Sequence, residues 1–205
     1  MANRLHDAIL AIENGDPAGA ASLLEGVIRT DPQIPVAQLQ LGVARCRQRR
    51  WAEAVAPLRK AIELQPDSVM AHYQMGLALF ETGDWKTAAR HFEIVVARMP
   101  KFADARFSLG AVYARIDKVP QAMDELREAL ALEPQHYRAN LLAGRVLSLQ
   151  GQAAAALPYL ERAAAVQAGS AEAQAFLAEA YEKLGRAADA ERARGRAGQL
   201  RKPRP

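Results

Sequence analysis

Four histidines and one cysteine are the residues of this chain best suited to metal binding or nucleophilic chemistry. His6, His72, His91 and His136 lie far apart, with no HxxxH pair and no His/Cys cluster at metal-ligand spacing. Cys46 has no His or Asp beside it in sequence to activate it, so it is expected to be a small buried or half-buried side chain rather than a nucleophile. No strand precedes a glycine-rich loop, so no phosphate cradle is expected. Trp51 and Trp85 share a register described below, which makes them packing residues before ligand contacts. The chain is therefore expected to be neither an enzyme nor a cofactor binder. What remains is surface chemistry, and the surface depends on how the helices are laid out.

That layout is periodic. Pro32, Pro66, Pro100 and Pro134 recur every 34 residues. So do Ala20, Ala54, Ala88, Ala122, Ala156 and Ala190, and the small residues Ala8, Gly42, Gly76, Gly110, Gly144 and Ala178. Six units of 34 account for 204 of the 205 residues. A period of this length signals a repeat architecture in which each unit buries its apolar face on its neighbours. Each unit reads as two amphipathic helices. Small residues at repeat positions 8 and 20 are expected to meet where the two helices approach closely. Gly15, Gly83, Gly151 and Gly185 suit a left-handed helix end, Asp16 and Asp84 suit N-caps, and the prolines stop the second helix. Helices are expected near 3–14, 17–30, 36–48, 51–64, 70–82, 85–98, 104–116, 119–132, 138–149, 153–167, 172–184 and 187–199. Pro57 and Pro158 fall inside second helices, where bends on the outer surface are expected.

The stretch from Val69 to Phe102 shows the pattern best and resembles the tetratricopeptide repeat, with Met75, Gly76 and Leu79 on the first helix and Trp85, Ala88, Phe92, Val95 and Pro100 on the second. Asp7, Ala168 and Arg194 depart from the pattern in the first, fifth and sixth units. The resemblance implies an all-α fold, an α-solenoid coiled as a right-handed superhelix. It implies repeats at 1–34, 35–68, 69–102, 103–136, 137–170 and 171–204. The solenoid would span 1–200 as a single domain, with the last helix as a solvating cap and 201–205 a basic disordered tail.

The resemblance further implies that repeat positions 2, 5, 6, 9, 12 and 13 line a concave groove. The candidate partner-binding residues are Leu39, Gln40, Tyr73, Gln74, Leu77, Phe80, Phe107, Ala111, Arg138, Leu141 and Arg145. Two readings stand for Tyr73, Phe80 and Phe107: burial between units, or an exposed apolar strip that takes a partner. Gln40 and Gln74 could hold an extended backbone. Arg138 and Arg145 are candidates for contacting an acidic ligand. Glu13, Arg47, Glu81 and Arg115 alternate in sign at position 13, where neighbouring helices are expected to pair them. The Lys and Asn that clamp chaperone carboxylates in some family members are missing at positions 5 and 9. An asparagine ladder at position 6, as in sugar-transferase superhelices, is missing too.

The expected function is that of an adaptor or scaffold holding an apolar, partly acidic peptide or helix of another protein. The alternative is a self-assembling homo-oligomer whose mixed-charge end enters the groove of the next copy. Least favoured is binding of nucleic acid or an anionic surface by the basic tail. The formal charge of +4 is uneven: from Arg186 to Pro205 seven basic residues face Asp189 and Glu191, so the remainder sums to −1. No apolar run approaches the roughly 18 residues of a membrane span. The single cysteine and the charged N-terminus point to the cytoplasm rather than to a disulfide-forming compartment.

Overall fold

In the computed structural model, residues 2–201 are described and form twelve α-helices with no strand among them. The helices are α1 (Ala2–Glu13), α2 (Pro17–Thr30), α3 (Pro35–Arg47), α4 (Trp51–Leu64), α5 (Val69–Thr82) and α6 (Trp85–Arg98). They continue as α7 (Ala103–Arg115), α8 (Val119–Leu132), α9 (Tyr137–Leu149), α10 (Ala153–Val166), α11 (Ala171–Lys183) and α12 (Ala187–Leu200). Of the expected tail, Arg201 caps α12 and 202–205 lie outside the described residues. The architecture is that of an all-α solenoid. Its helices group into two compact units, one up to Pro100 and one from Lys101.

The turn inside each repeat explains its sharpness. Position 15 is left-handed six times: at Gly15, Gly83, Gly151 and Gly185, and also at Arg49 and Asp117, both with φ of 59°. A side chain there carries a steric cost that glycine escapes. Asp16 and Asp84 accept hydrogen bonds from the backbone N–H groups of Gly19 and Thr87, as the N-cap reading expected. Pro57 and Pro158 sit within α4 and α10, and both helices run through unbroken.

In the first unit, α1 to α3 bury Ala8, Ile12, Ala20, Leu24, Val27 and Ala37 in one cluster. In the second, Phe107, Leu126, Leu147, Leu160 and Leu177 anchor the core. The expected contact of position 8 with position 20 needs correction. A methyl group built on Gly42, Gly76 or Gly144 would meet Leu58, Phe92 or Leu160, all at position 24. Position 20 lies behind, touching through backbone carbonyls at Ala122 and Ala156. The glycine therefore makes room for a large side chain from the second helix rather than for a second small one. At the last repeat, position 24 is Arg194, and α12 buries only Ala190, Ala193 and Ala197.

Between repeats, a fastening appears that the pattern of apolar residues does not reveal. Position 4 of the first helix carries a buried polar residue that donates to the carbonyl of the preceding proline. Gln38 Nε2 reaches Pro32 at 3.0 Å, His72 Nε2 reaches Pro66 at 3.0 Å, and Asn140 Nδ2 reaches Pro134 at 2.9 Å. In the sixth repeat, where Ala168 replaces the proline, Gln174 Oε1 is buried without a partner.

Candidate protein-docking face

The candidate residues all lie on first helices, and each unit presents its own set. In the first unit, α3 and α5 carry Val36, Leu39, Gln40 and Val43, then Met70, Tyr73, Gln74 and Leu77, at positions 2, 5, 6 and 9. None of these eight is charged. Leu39, Gln40, Tyr73, Gln74, Leu77 and Phe80 are half-buried. Val36 and Met70 stand out at 43% and 48% exposure. Sequence reasoning misses those two, although the resemblance puts position 2 among the groove positions and could have pointed to them. Tyr73 packs edge-on against Phe92 at 5.8 Å, which holds its ring on α6. Gln74 leans on the sulfur of Met70, and the Gln40 side chain makes no hydrogen bond to any described residue. The Phe80 carbonyl accepts the Trp85 indole N–H at 3.2 Å, so Trp85 closes the helical turn, as a packing residue should.

In the second unit the face is charged and more tightly packed. Phe107 is only 5% exposed and belongs to the core, so the exposed-strip reading does not hold for it. Its ring lies beneath the Arg138 guanidinium at 4.5 Å and 5.2 Å from the His136 ring, and these neighbours remove it from water. Arg145 lies over Phe176 at 5.5 Å. Both arginines are exposed and have no ion-pair partner among the described residues; Ala111 and Leu141 are half-buried beside them. Seven residues apart on α9, the two positions share one face of the helix, two turns and about 10 Å apart along its axis. A cation stacked on a ring still has its edge donors free for a carboxylate.

The sign alternation at position 13 does not produce the expected pair of Glu13 with Arg47. Arg47 donates instead to the Ile12 carbonyl, and Lys183 donates to that of Ser148 at 3.0 Å. Each cation thus satisfies the carbonyl end of the preceding first helix, where the helix dipole is negative. Cys46 is buried, and burial pushes its thiol up to about 11, so it stays protonated and unreactive at neutral pH. No group of three potential metal ligands occurs among the described residues, and none of their helices is long and apolar enough to cross a membrane.

Twelve helices paired at a 34-residue step, with small-residue contacts and left-handed turns in register, define a helical repeat protein. The family model of the cilia and flagella-associated protein 70 middle TPR-like domain matches residues 81–201, more than half of the chain, and a tetratricopeptide-repeat model matches residues 7–69. The chain belongs to the tetratricopeptide-repeat family. No curated protein matches it. Among solved structures, PilW, a type IV pilus biogenesis factor, is similar at a TM-score of 0.82 and 21% identity, covering 93% of this chain and 88% of that one. MamA from Desulfovibrio magneticus RS-1 is similar at 0.75 and 22%, covering 82% and 94%. YrrB, a TPR protein with an unusual peptide-binding site, is similar at 0.70 and 19%, covering 88% and 93%. At these identities the likeness concerns the fold alone.

Proposed function

We propose that this chain is a protein-interaction scaffold whose first-helix face holds a peptide or helix of another protein. The stripe on α3 and α5 suits an apolar segment, and Arg138 and Arg145 on α9 suit an acidic one. The observation that carries this reading is the uncharged stripe of α3 and α5, on which Val36 and Met70 expose apolar side chains next to Leu39, Tyr73 and Leu77. Elsewhere these helices carry Arg45, Arg47 and Glu81, so the stripe is a local departure. The reading takes 1–200 as one run of six repeats, on the sequence period, and places the protein in the cytoplasm, on its single cysteine.

Self-assembly through the C-terminal end draws less support. Arg186 and Arg192 pair with Asp189, and Arg194 pairs with Glu182, so charges that would meet a groove are already engaged with one another. The same pairs reduce what this end offers to phosphates. The test is a nuclease-treated pull-down from native extract, comparing wild type with Val36→Glu/Met70→Glu and with Arg138→Ala/Arg145→Ala, each checked for helicity. A protein retained by wild type and lost by either variant supports the docking face. An identical set for all three overturns it.

A further inference from the structure

The third repeat fastens itself with two imidazoles, and their hydrogen-bond partners dictate where the protons must be. His72 Nε2 lies 3.0 Å from the Pro66 carbonyl, which can only accept, so Nε2 carries the proton and Nδ1 is left with a bare lone pair. That lone pair faces His91 Nδ1 at 2.9 Å, with the ring centroids 5.1 Å apart. Two facing lone pairs would repel at this distance, so His91 Nδ1 is the donor. The result is a directed chain: His91 on α6 donates to His72 on α5, which donates to the α4–α5 linker.

We propose that His72 and His91 form a one-proton latch that ties α6 and the α4–α5 linker to α5. A first proton enters at His91 Nε2, the ring nitrogen that makes no contact among the described residues, so the pair gains one proton and keeps both contacts, the one from His91 now charge-assisted. A second proton would set two N–H groups and two charges against each other at 2.9 Å. The contact must then open, and His91, only half-buried, swings out. Even the first proton is costly, since His91 is pushed down to about 4, by burial first and by His72 second, with Asp84 opposing.

Most charges near the pair are engaged with other groups, while Asp84 acts on His91 and Arg98 shares the Pro66 carbonyl. Arg98 on α6 donates to the same Pro66 carbonyl at 3.2 Å and is paired with Asp67 in the linker at 2.5 Å. Asp84 is occupied capping α6. On α4, Lys60 and Glu63 pair with one another, and Arg59 is exposed. On α3, Arg45 is held by Glu25, and Arg47 by the Ile12 carbonyl. The equivalent clamps at Gln38 and Asn140 use amides, which cannot titrate, and the positions of His72 and His91 are filled in the fourth repeat by Arg106 and Glu125, paired at 2.9 Å. The sign of the effect follows. Unfolded His91 takes up its proton near pH 6.5 and folded His91 near 4, so stability falls as pH drops through that window and is unaffected above it.

The decisive measurement is nitrogen NMR on histidine-labelled whole chain. A scalar coupling across the hydrogen bond between His72 Nδ1 and His91 Nδ1, with two separated protonation steps, is the expected result. Absence of the coupling, with both rings titrating in one ordinary histidine step, overturns the latch. His72→Gln copies the clamp of the second repeat. It should keep the neutral-pH melting temperature while flattening its decline between pH 7 and pH 4. An unchanged decline in that variant also overturns the latch, and the NMR result on wild type decides even if the variant folds poorly.

Discussion

Adding one methyl group to Gly144 should weaken the protein even though it improves the helix. Alanine in a helix interior is favoured over glycine by about 1 kcal/mol. At Gly144 the new methyl would lie 2.5 Å from Leu160 Cγ and 2.6 Å from its Cδ2, with the Ala156 carbonyl at 3.3 Å blocking retreat. Leu160 is 0% exposed, so it has nowhere to move. Overpacking of a close-packed core costs roughly 1–3 kcal/mol. Because the clash reaches the branch carbon and not a flexible tip, the upper part of that range applies, leaving a net loss of about 1–2 kcal/mol after the helix gain. Gly198, in α12, is the control: a methyl there meets nothing within 4 Å. Gly198→Ala should be neutral or stabilising by up to about 1 kcal/mol, less if the helix end frays. Urea unfolding followed by circular dichroism measures both. Leu160→Ala alone opens a cavity and costs roughly 2–5 kcal/mol. In the Gly144→Ala/Leu160→Ala double variant the methyl enters vacated space, so the losses should fall short of additivity by more than about 1 kcal/mol. A Gly144→Ala protein as stable as Gly198→Ala, or additive losses in the cycle, would refute the packing argument.

Other consequences are equally direct. Arg49→Gly should raise stability by up to about 1 kcal/mol in the same unfolding assay, since φ of 59° strains an arginine. Asp117→Gly should gain less, because Asp tolerates the left-handed region better. Asn140→Ala removes the donor to the Pro134 carbonyl from a site with 0% exposure and should cost about 1–3 kcal/mol. Gln174→Met, at the same repeat position but with a partnerless Oε1, should be neutral or mildly stabilising, and equal losses for the two would disprove the clamp. For the docking face, Arg138→Ala/Arg145→Ala should weaken capture of an acidic partner and blunt its salt dependence, read by pull-down at two salt concentrations.

Much of this molecule could be read from three residue types at one spacing. Proline, alanine and glycine at a 34-residue step determine twelve helices to within a residue or two, because breaking, capping and close approach are local requirements on residue type. The positive φ at Gly83 and the caps at Asp16 and Asp84 belong to the same class. Which first-helix positions share a side was legible, because helical periodicity fixes that much. How deeply each one sinks was not. Phe107 and Tyr73 hold the same repeat position, yet Phe107 is covered by Arg138 and His136 while Tyr73 stays half-exposed, and that difference depends on neighbours 30 residues away. Nor could the sequence show that Gly144 makes room for Leu160 rather than Ala156, or that His72, Gln38 and Asn140 do one job. Polar residues of different chemistry share no visible pattern until packing brings each within hydrogen-bond reach of its proline carbonyl. Tertiary structure alone decided these contacts, since burial and hydrogen bonding are properties of pairs brought together by packing, not of positions along a chain.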